Sequence, residues 1–238
     1  MHFAILGAGS WGTALARHLA ASGERATLVA RRYEHALEMG HRRENVAYLP
    51  GHTLPPDLQL GCEVAPAVME ADVVLLACPL KGLGDALAQL AAARSTAWAL
   101  KLVISLCKGL DAQTLRRPGE MIAEALPGLA HGCLSGPSAA SEVAAGKPCA
   151  MVLAVEGDTA ETRLDEVQAH LSYGRLRVYR SHDVTGVELA GALKNPYAIG
   201  AGVCDGLGVG DSAKASYLTR AMAEMQRIGT GLGGRPET

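Results

Sequence analysis

Aromatic residues are scarce in this sequence: 238 residues hold one Phe, two Trp and six Tyr, 4% in all. With hydrophobic residues at 49%, Ala, Val and Leu must therefore form most of the core. Charge of one sign is also lacking. A formal net charge of −2 gives no electrostatic case for a nucleic-acid partner. The six cysteines, at 62, 78, 107, 133, 149 and 204, contain no CxxC pair, which argues against both a zinc knuckle and a disulfide framework. Free thiols in a reducing compartment are the simpler reading, and the expected location is cytoplasmic. No run approaches the ~20 apolar residues that span a bilayer. The N-terminus lacks a basic region and its apolar run is broken by glycine after Leu6, so no signal peptide is read. No His, Asp or Glu cluster has metal-ligand spacing, and Ser135 and Ser138 lack the strand-turn-helix setting of a nucleophilic serine.

What is present is a series of short apolar runs alternating with helical segments. FAIL (3–6), ATLVAR (26–31), DVVLLACP (72–79), KLVISLCKG (101–109), HGCLSGPS, CAMVLAV and RLRVYRS read as strands. The first four lack clean polar alternation, as expected of a parallel sheet covered on both faces. Residues 12–22, RYEHALEMGHRREN and 160–174 read as helices. After about residue 182 strand signals stop. Asp211 and Ser212 are candidate N-caps for a helix whose apolar face is Tyr217, Leu218, Ala221, Met222, Met225 and Ile228, with Gly229 as its stop. The expected architecture is α/β, a Rossmann-type, mostly parallel sheet with helices on both faces over residues 1–182. The first part of an all-α domain then follows over 183–238.

GAGSWG places Gly7, Gly9 and Gly12 after the first strand and at the start of a helix. In such a turn the first glycine permits the bend, the second lets a pyrophosphate approach the backbone, and the third lets helix and strand pack closely. The helix N-terminus adds free N–H groups and a positive dipole. The end of the second strand, where an acid would bind the ribose of NAD, reads VARRYE. Arg31 and Arg32 there suit a 2′-phosphate; the alternative is that the pair begins a solvated helix face. The expected cofactor is NADPH, with NADH still open.

GAGSWGTALA, NVAYLPG, CKGLD, SGPSAASEVAAGKP and GVELAGALKN with DGLGVGDSAK and TRAMAEMQRIG, in that order, resemble the bacterial-type NAD(P)-dependent glycerol-3-phosphate dehydrogenase family. The resemblance implies hydride transfer between NAD(P)H and dihydroxyacetone phosphate, giving sn-glycerol 3-phosphate for glycerophospholipid synthesis. The substrate is then a small phosphorylated three-carbon molecule lying between the two domains. By the same resemblance Gly7, Gly9, Ser10, Trp11, Gly12, Arg31, Arg32, Tyr48 and Ala140 contact cofactor. Lys108 faces cofactor and substrate, Gly136 and Ser138 contact substrate, and Lys194 is the catalytic lysine. The chemistry fits independently. Reducing a ketone builds negative charge on its oxygen, which an ammonium stabilises and protonates. Partial burial, or a second cation such as Lys108, would bring a lysine toward a useful pKa. Glu188 could orient Lys194 or make a helix salt bridge. His182 and Asp183 read as capping at the domain junction.

The family's pattern continues past this sequence with a segment whose arginine grips phosphate and cofactor. The expectation is weak NADPH binding and slow or absent turnover by these residues alone, with exposed apolar helix faces favouring self-association. Pro196 either kinks the helix and aims Lys194 or breaks the helix there. Two other readings stand beside the main one: a catalytically silent NADPH-binding module, and a ketopantoate- or hydroxyacid-type reductase.

Overall fold

The computed structural model describes residues 1–156 and 160–238. Eight strands form one sheet: β1 (His2–Leu6), β2 (Arg25–Val29), β3 (Gln59–Gly61), β4 (Val73–Leu76), β5 (Leu102–Ser105), β6 (Ala130–Ser135), β7 (Cys149–Glu156) and β8 (Leu176–Ser181). Their order is β3-β2-β1-β4-β5-β6-β7-β8. The first six in chain order are mutually parallel, β7 runs antiparallel to β6, and β8 is parallel to β7. The strand order reverses direction between β1 and β4, the place where such sheets open a crevice at their carboxyl edge.

The helices are α1 (Ser10–Ala21), α2 (Tyr33–Arg42), α3 (Val64–Val68), α4 (Leu83–Ala93), α5 (Pro118–Ala125), α6 (Ala140–Ala144), α7 (Ala160–Leu171), α8 (Val184–Leu207) and α9 (Asp211–Gly231). Period-two geometry sorts the strand side chains between them. Phe3, Ile5, Val73 and Leu75 join Leu15 and Leu19 of α1 and Leu164 and Val167 of α7 on one face. Ala4, Leu6, Val74 and Leu76 join Val68 of α3, Leu87 and Leu90 of α4 and Ile122 of α5 on the other. Continuous apolar runs are what a sheet with two covered faces requires. The single Phe is fully buried, and aliphatic side chains fill the rest of both layers.

Asp183 caps α8, its Oδ1 accepting the Gly186 N–H at 2.8 Å, while its Oδ2 accepts the Arg235 N–H at 2.7 Å. The capping expected at this junction is therefore present. α8 continues through Pro196, so the helix does not break there. Proline contributes no N–H, which leaves the Ala192 carbonyl without its helical donor two residues before Lys194. α9 begins at Asp211, capped by Gly210, and runs two residues beyond Gly229. Of its expected apolar face only Ala221 is fully buried, and Met222 is 71% exposed. Positions 217, 221, 225 and 228 recur at helical spacing and are all at least partly covered, whereas Leu218 and Met222 lie on the open side. β3 has no counterpart among the expected strands, because its three residues are too few to show a period. No helix among the described residues is long and apolar enough to cross a membrane.

Leu75 is fully buried in β4 at the middle of the sheet. Leu75→Ala should destabilise the fold by about 2–5 kcal/mol through lost transfer energy and the cavity left behind. Chemical denaturation measures this, and a loss below about 1 kcal/mol would contradict the packing described.

Candidate active site at the carboxyl edge of the sheet

The turn from β1 into α1 is as bare as its sequence. A Cβ on Gly12 would lie 1.9 Å from the Gly7 carbonyl oxygen, and one on Gly7 would lie 2.8 Å from the Ala77 backbone. Gly7 also has φ +119°, outside the range of ordinary L-residues. A Cβ on Gly9 would meet nothing within 4 Å. The first and third glycines thus serve close packing, and the second faces open space. The first α1 hydrogen bond runs from Thr13 N–H to the Gly9 carbonyl at 3.0 Å. The preceding N–H groups have no helical acceptor and point their dipole at that space. This fits a pyrophosphate.

A buried side chain braces the turn. Asn45, 1% exposed, donates through Nδ2 to the Ala8 carbonyl at 3.0 Å and to Thr13 Oγ1 at 2.8 Å. Its Oδ1 lies 3.0 Å from His35 Nε2 of α2. One amide therefore ties the glycine turn to the helix that follows Arg31 and Arg32. Asn45 stands within NVAYLPG, where no local sequence signal marks it for this role. Ser10 Oγ donates to the Tyr48 carbonyl at 2.6 Å. The Tyr48 ring packs on His35 and is 48% exposed, so its link to the turn runs through its backbone. Trp11 packs with Ala14, Leu49 and Ala140, which brings the start of α6 against α1. Arg31 and Arg32 are exposed past β2, and neither makes an ion pair among the described residues.

The ends of β5 and β6 supply the rest. Lys108 follows β5, and its Nζ donates to the Gly136 carbonyl at 3.3 Å. Burial, and after it the neighbouring Lys194 ammonium, hold the Lys108 amine below the ordinary lysine range. Lys194 is half-buried on α8. The close approach is made at Gly191, where a Cβ would lie 2.9 Å from Ser135 Oγ and 3.9 Å from Lys108 Cγ. Ser138 Oγ is buried without a hydrogen-bond partner, a polar atom suited to an incoming ligand. Gly7, Gly9, Ser10, Trp11, Gly12, Arg31, Arg32, Lys108, Gly136, Ser138 and Ala140 thus all follow the carboxyl ends of β1, β2, β5 and β6, and α8 brings Lys194 within electrostatic reach of Lys108.

α8 is fastened by Glu188, expected either to orient Lys194 or to make a salt bridge on its own helix. Its side chain is 2% exposed; Oε2 accepts from Arg117 Nη1 at 3.0 Å and Oε1 from the Gly119 N–H at 2.7 Å. It does not reach forward to Lys194. It grips the N-terminus of α5 instead.

A mostly parallel sheet with a glycine turn at its switch point, facing two converging lysines, defines a nicotinamide-dinucleotide oxidoreductase. The relatives agree. Residues 2–161 match the family model described as NAD-dependent glycerol-3-phosphate dehydrogenase N-terminus, and residues 183–238 match that of its C-terminus. The chain is 45% identical over 239 residues to a glycerol-3-phosphate dehydrogenase [NAD(P)+] of Thiobacillus denitrificans, spanning 100% of this chain and 70% of that one. It is 42% identical to the protein of the same name in Nitrosospira multiformis, spanning 100% of this chain and 71% of the other. The crystal structure of glycerol-3-phosphate dehydrogenase from Coxiella burnetii superposes with a TM-score of 0.90 at 34% identity, over 99% of this chain and 70% of that one. The chain belongs to the NAD-dependent glycerol-3-phosphate dehydrogenase family.

Burial pushes the Glu188 carboxyl up to about 7, outweighing its Arg117 and Gly119 donors. A carboxyl raised in the folded state contributes stability that is complete below its unfolded value and is lost as pH rises through about 7. Glu188→Gln keeps the shape and cannot titrate. The stability of the parent relative to this variant should fall, by on the order of 1–3 kcal/mol, between about pH 5 and 8. Denaturant titrations at each pH measure it, and a constant difference would show that Glu188 does not titrate in this range.

Proposed function

We propose that this chain acts in the reversible reduction of dihydroxyacetone phosphate to sn-glycerol 3-phosphate by a reduced nicotinamide dinucleotide. Residues 1–182 hold the dinucleotide and residues 183–238 contribute to the substrate side. The observation that carries this reading is the convergence of Lys108 and Lys194 at the carboxyl edge beside the glycine turn. Bound there, the nicotinamide supplies or accepts the hydride. The α1 N-terminus and the space over Gly9 take the pyrophosphate. Lys194 stabilises the charge that grows on the ketone oxygen and delivers the proton; in the reverse direction the same amine removes it. Lys108, with its amine held below the ordinary lysine range, places a second donor at the same oxygen or at the phosphate. Ser138 Oγ and the Gly136 segment complete the substrate wall.

Within this reading NADPH is preferred. Arg31 and Arg32 offer two guanidiniums without an ion pair among the described residues where a ribose-binding acid would stand, and charge-assisted bonds to a 2′-phosphate are their natural use. A silent binding module accounts for the glycine turn but leaves the paired lysines without a task.

The test is the fall in reduced-nicotinamide absorbance when the intact protein meets dihydroxyacetone phosphate. Lys194→Ala should lower kcat by about 10²–10⁴-fold with little change in cofactor affinity. Undiminished turnover in that variant would remove Lys194 from the chemistry, and no turnover by the unaltered intact protein would favour the silent module. For the cofactor, Arg31→Ala with Arg32→Ala should weaken NADPH binding by about tenfold or more while leaving NADH nearly unaffected. Isothermal titration with each dinucleotide measures this, and equal losses would defeat the 2′-phosphate assignment.

A further inference from the structure

Two cysteines sit together beneath the proposed cofactor site. β4 and β5 are parallel neighbours with Leu76 opposite Ser105, so Cys78 and Cys107 each lie two residues beyond a paired position. Both are partly buried and pack against the same apolar layer. Cys107 Sγ donates to the Cys78 carbonyl oxygen at 3.1 Å and lies 3.9 Å from the Leu76 carbonyl oxygen. Neighbouring strands are about 4.8 Å apart, within the Cα separation of about 4.4–6.8 Å that a disulfide requires. Each cysteine also adjoins a part of the site. The Cys78 amide nitrogen lies 2.9 Å from where a Gly7 Cβ would be, and Cys107 precedes Lys108.

We propose that Cys78 and Cys107 form an oxidisable dithiol, closed to a disulfide by small peroxides, and that closure weakens dinucleotide binding at the adjoining turn. This regulation rests on the cofactor reading above. In the first step the Cys78 thiolate attacks hydrogen peroxide, forming an S–O bond and breaking O–O to give a sulfenic acid and hydroxide. The Cys107 sulfur then displaces the hydroxyl group from Cys78, forming S–S and releasing water with the thiol proton. In total two thiols are oxidised by two electrons and one peroxide is reduced to two waters. The order of attack follows the setting. Contact with the Cys107 thiol holds the Cys78 thiol below the ordinary range, whereas the same contact and burial push Cys107 well above it. To close the bond, Cys107 Sγ must leave the Cys78 carbonyl. That movement is imposed on the segment packed against Gly7 and on the backbone entering Lys108. The other four cysteines lie away from this pair: Cys62 is the residue after β3, Cys133 is on β6, Cys149 on β7 and Cys204 on α8.

The test treats the reduced, intact protein with hydrogen peroxide, alkylates the remaining thiols after unfolding, and maps peptides by mass with and without dithiothreitol. NADPH affinity is measured on the same samples. The expected result is a Cys78–Cys107 cross-linked peptide lost on reduction, with NADPH affinity lowered at least about tenfold and restored by dithiothreitol. Cys78→Ser and Cys107→Ser should each form no cross-link and keep their affinity through the treatment. Reversibility separates this from methionine oxidation, which dithiothreitol does not undo. Both thiols remaining alkylatable, or a cross-link that leaves affinity unchanged, would overturn the proposal. If the reduced protein bound no dinucleotide, the cofactor reading and this regulation would fail together, while the mass map would still report whether the bond forms.

Discussion

A side chain at Gly191 would crowd Ser135. A Cβ there would lie 2.9 Å from Ser135 Oγ and already in contact, at 3.9 Å, with the Lys108 stem, so the glycine lets α8 lie directly against the carboxyl edge of the sheet. That approach sets two lysines side by side, and two ammonium groups repel each other. Apolar packing and buried polar bonds hold the arrangement. Val184 and Val187 pack on Cys133 and Ala154. Asp183 caps the first turn, and Glu188 joins the helix to Arg117 and the α5 N-terminus. A buried ion pair is weak evidence of net stability, because desolvation offsets its attraction. Here its geometric consequence matters more: Glu188 fixes how far α8 is inserted and therefore where Lys194 sits, six residues on.

The second fixed point is the β1–α1 turn. Gly7 and Gly12 let helix, turn and β4 approach to contact distance, while Gly9 leaves the surface over the helix N-terminus open. Asn45 then couples this turn to α2 through His35, so the phosphate end and the Arg31–Arg32 end of the proposed cofactor site share one buried amide. The strand order carries both fixed points to the same edge: the turn follows β1, Lys108 follows β5, and the segment from Gly136 follows β6.

Much of this was legible in the sequence. Apolar runs marked six of the eight strands because a sheet covered on both faces leaves long unbroken hydrophobic stretches; RLRVYRS marked β8, an edge strand with Arg177, Tyr179 and Arg180 exposed. The glycine turn was readable because bare backbone at that spacing has a definite steric use. What was not legible depended on contacts distant in sequence. Glu188 looked like a partner for Lys194 on the same helix, whereas it reaches 71 residues back to Arg117. Asn45 lies 37 residues from Ala8, and nothing local distinguishes it from a polar loop residue. The reversal of β7 leaves no trace in CAMVLAV, a run that is apolar on both faces. Met222 and Leu218 show the opposite limit: apolar spacing identifies a helix face without saying whether anything covers it.

The central claim is that the Lys194 amine is held beside the oxygen that gains charge as hydride is transferred at the β1–β4 crevice. A crystal structure of the intact protein with reduced dinucleotide and dihydroxyacetone phosphate tests it most directly. The account predicts Lys194 Nζ within hydrogen-bonding distance of the ketone oxygen, with the pyrophosphate over Gly9. An amine directed into solvent, or a substrate seated away from the Lys108–Gly136 edge, would contradict it.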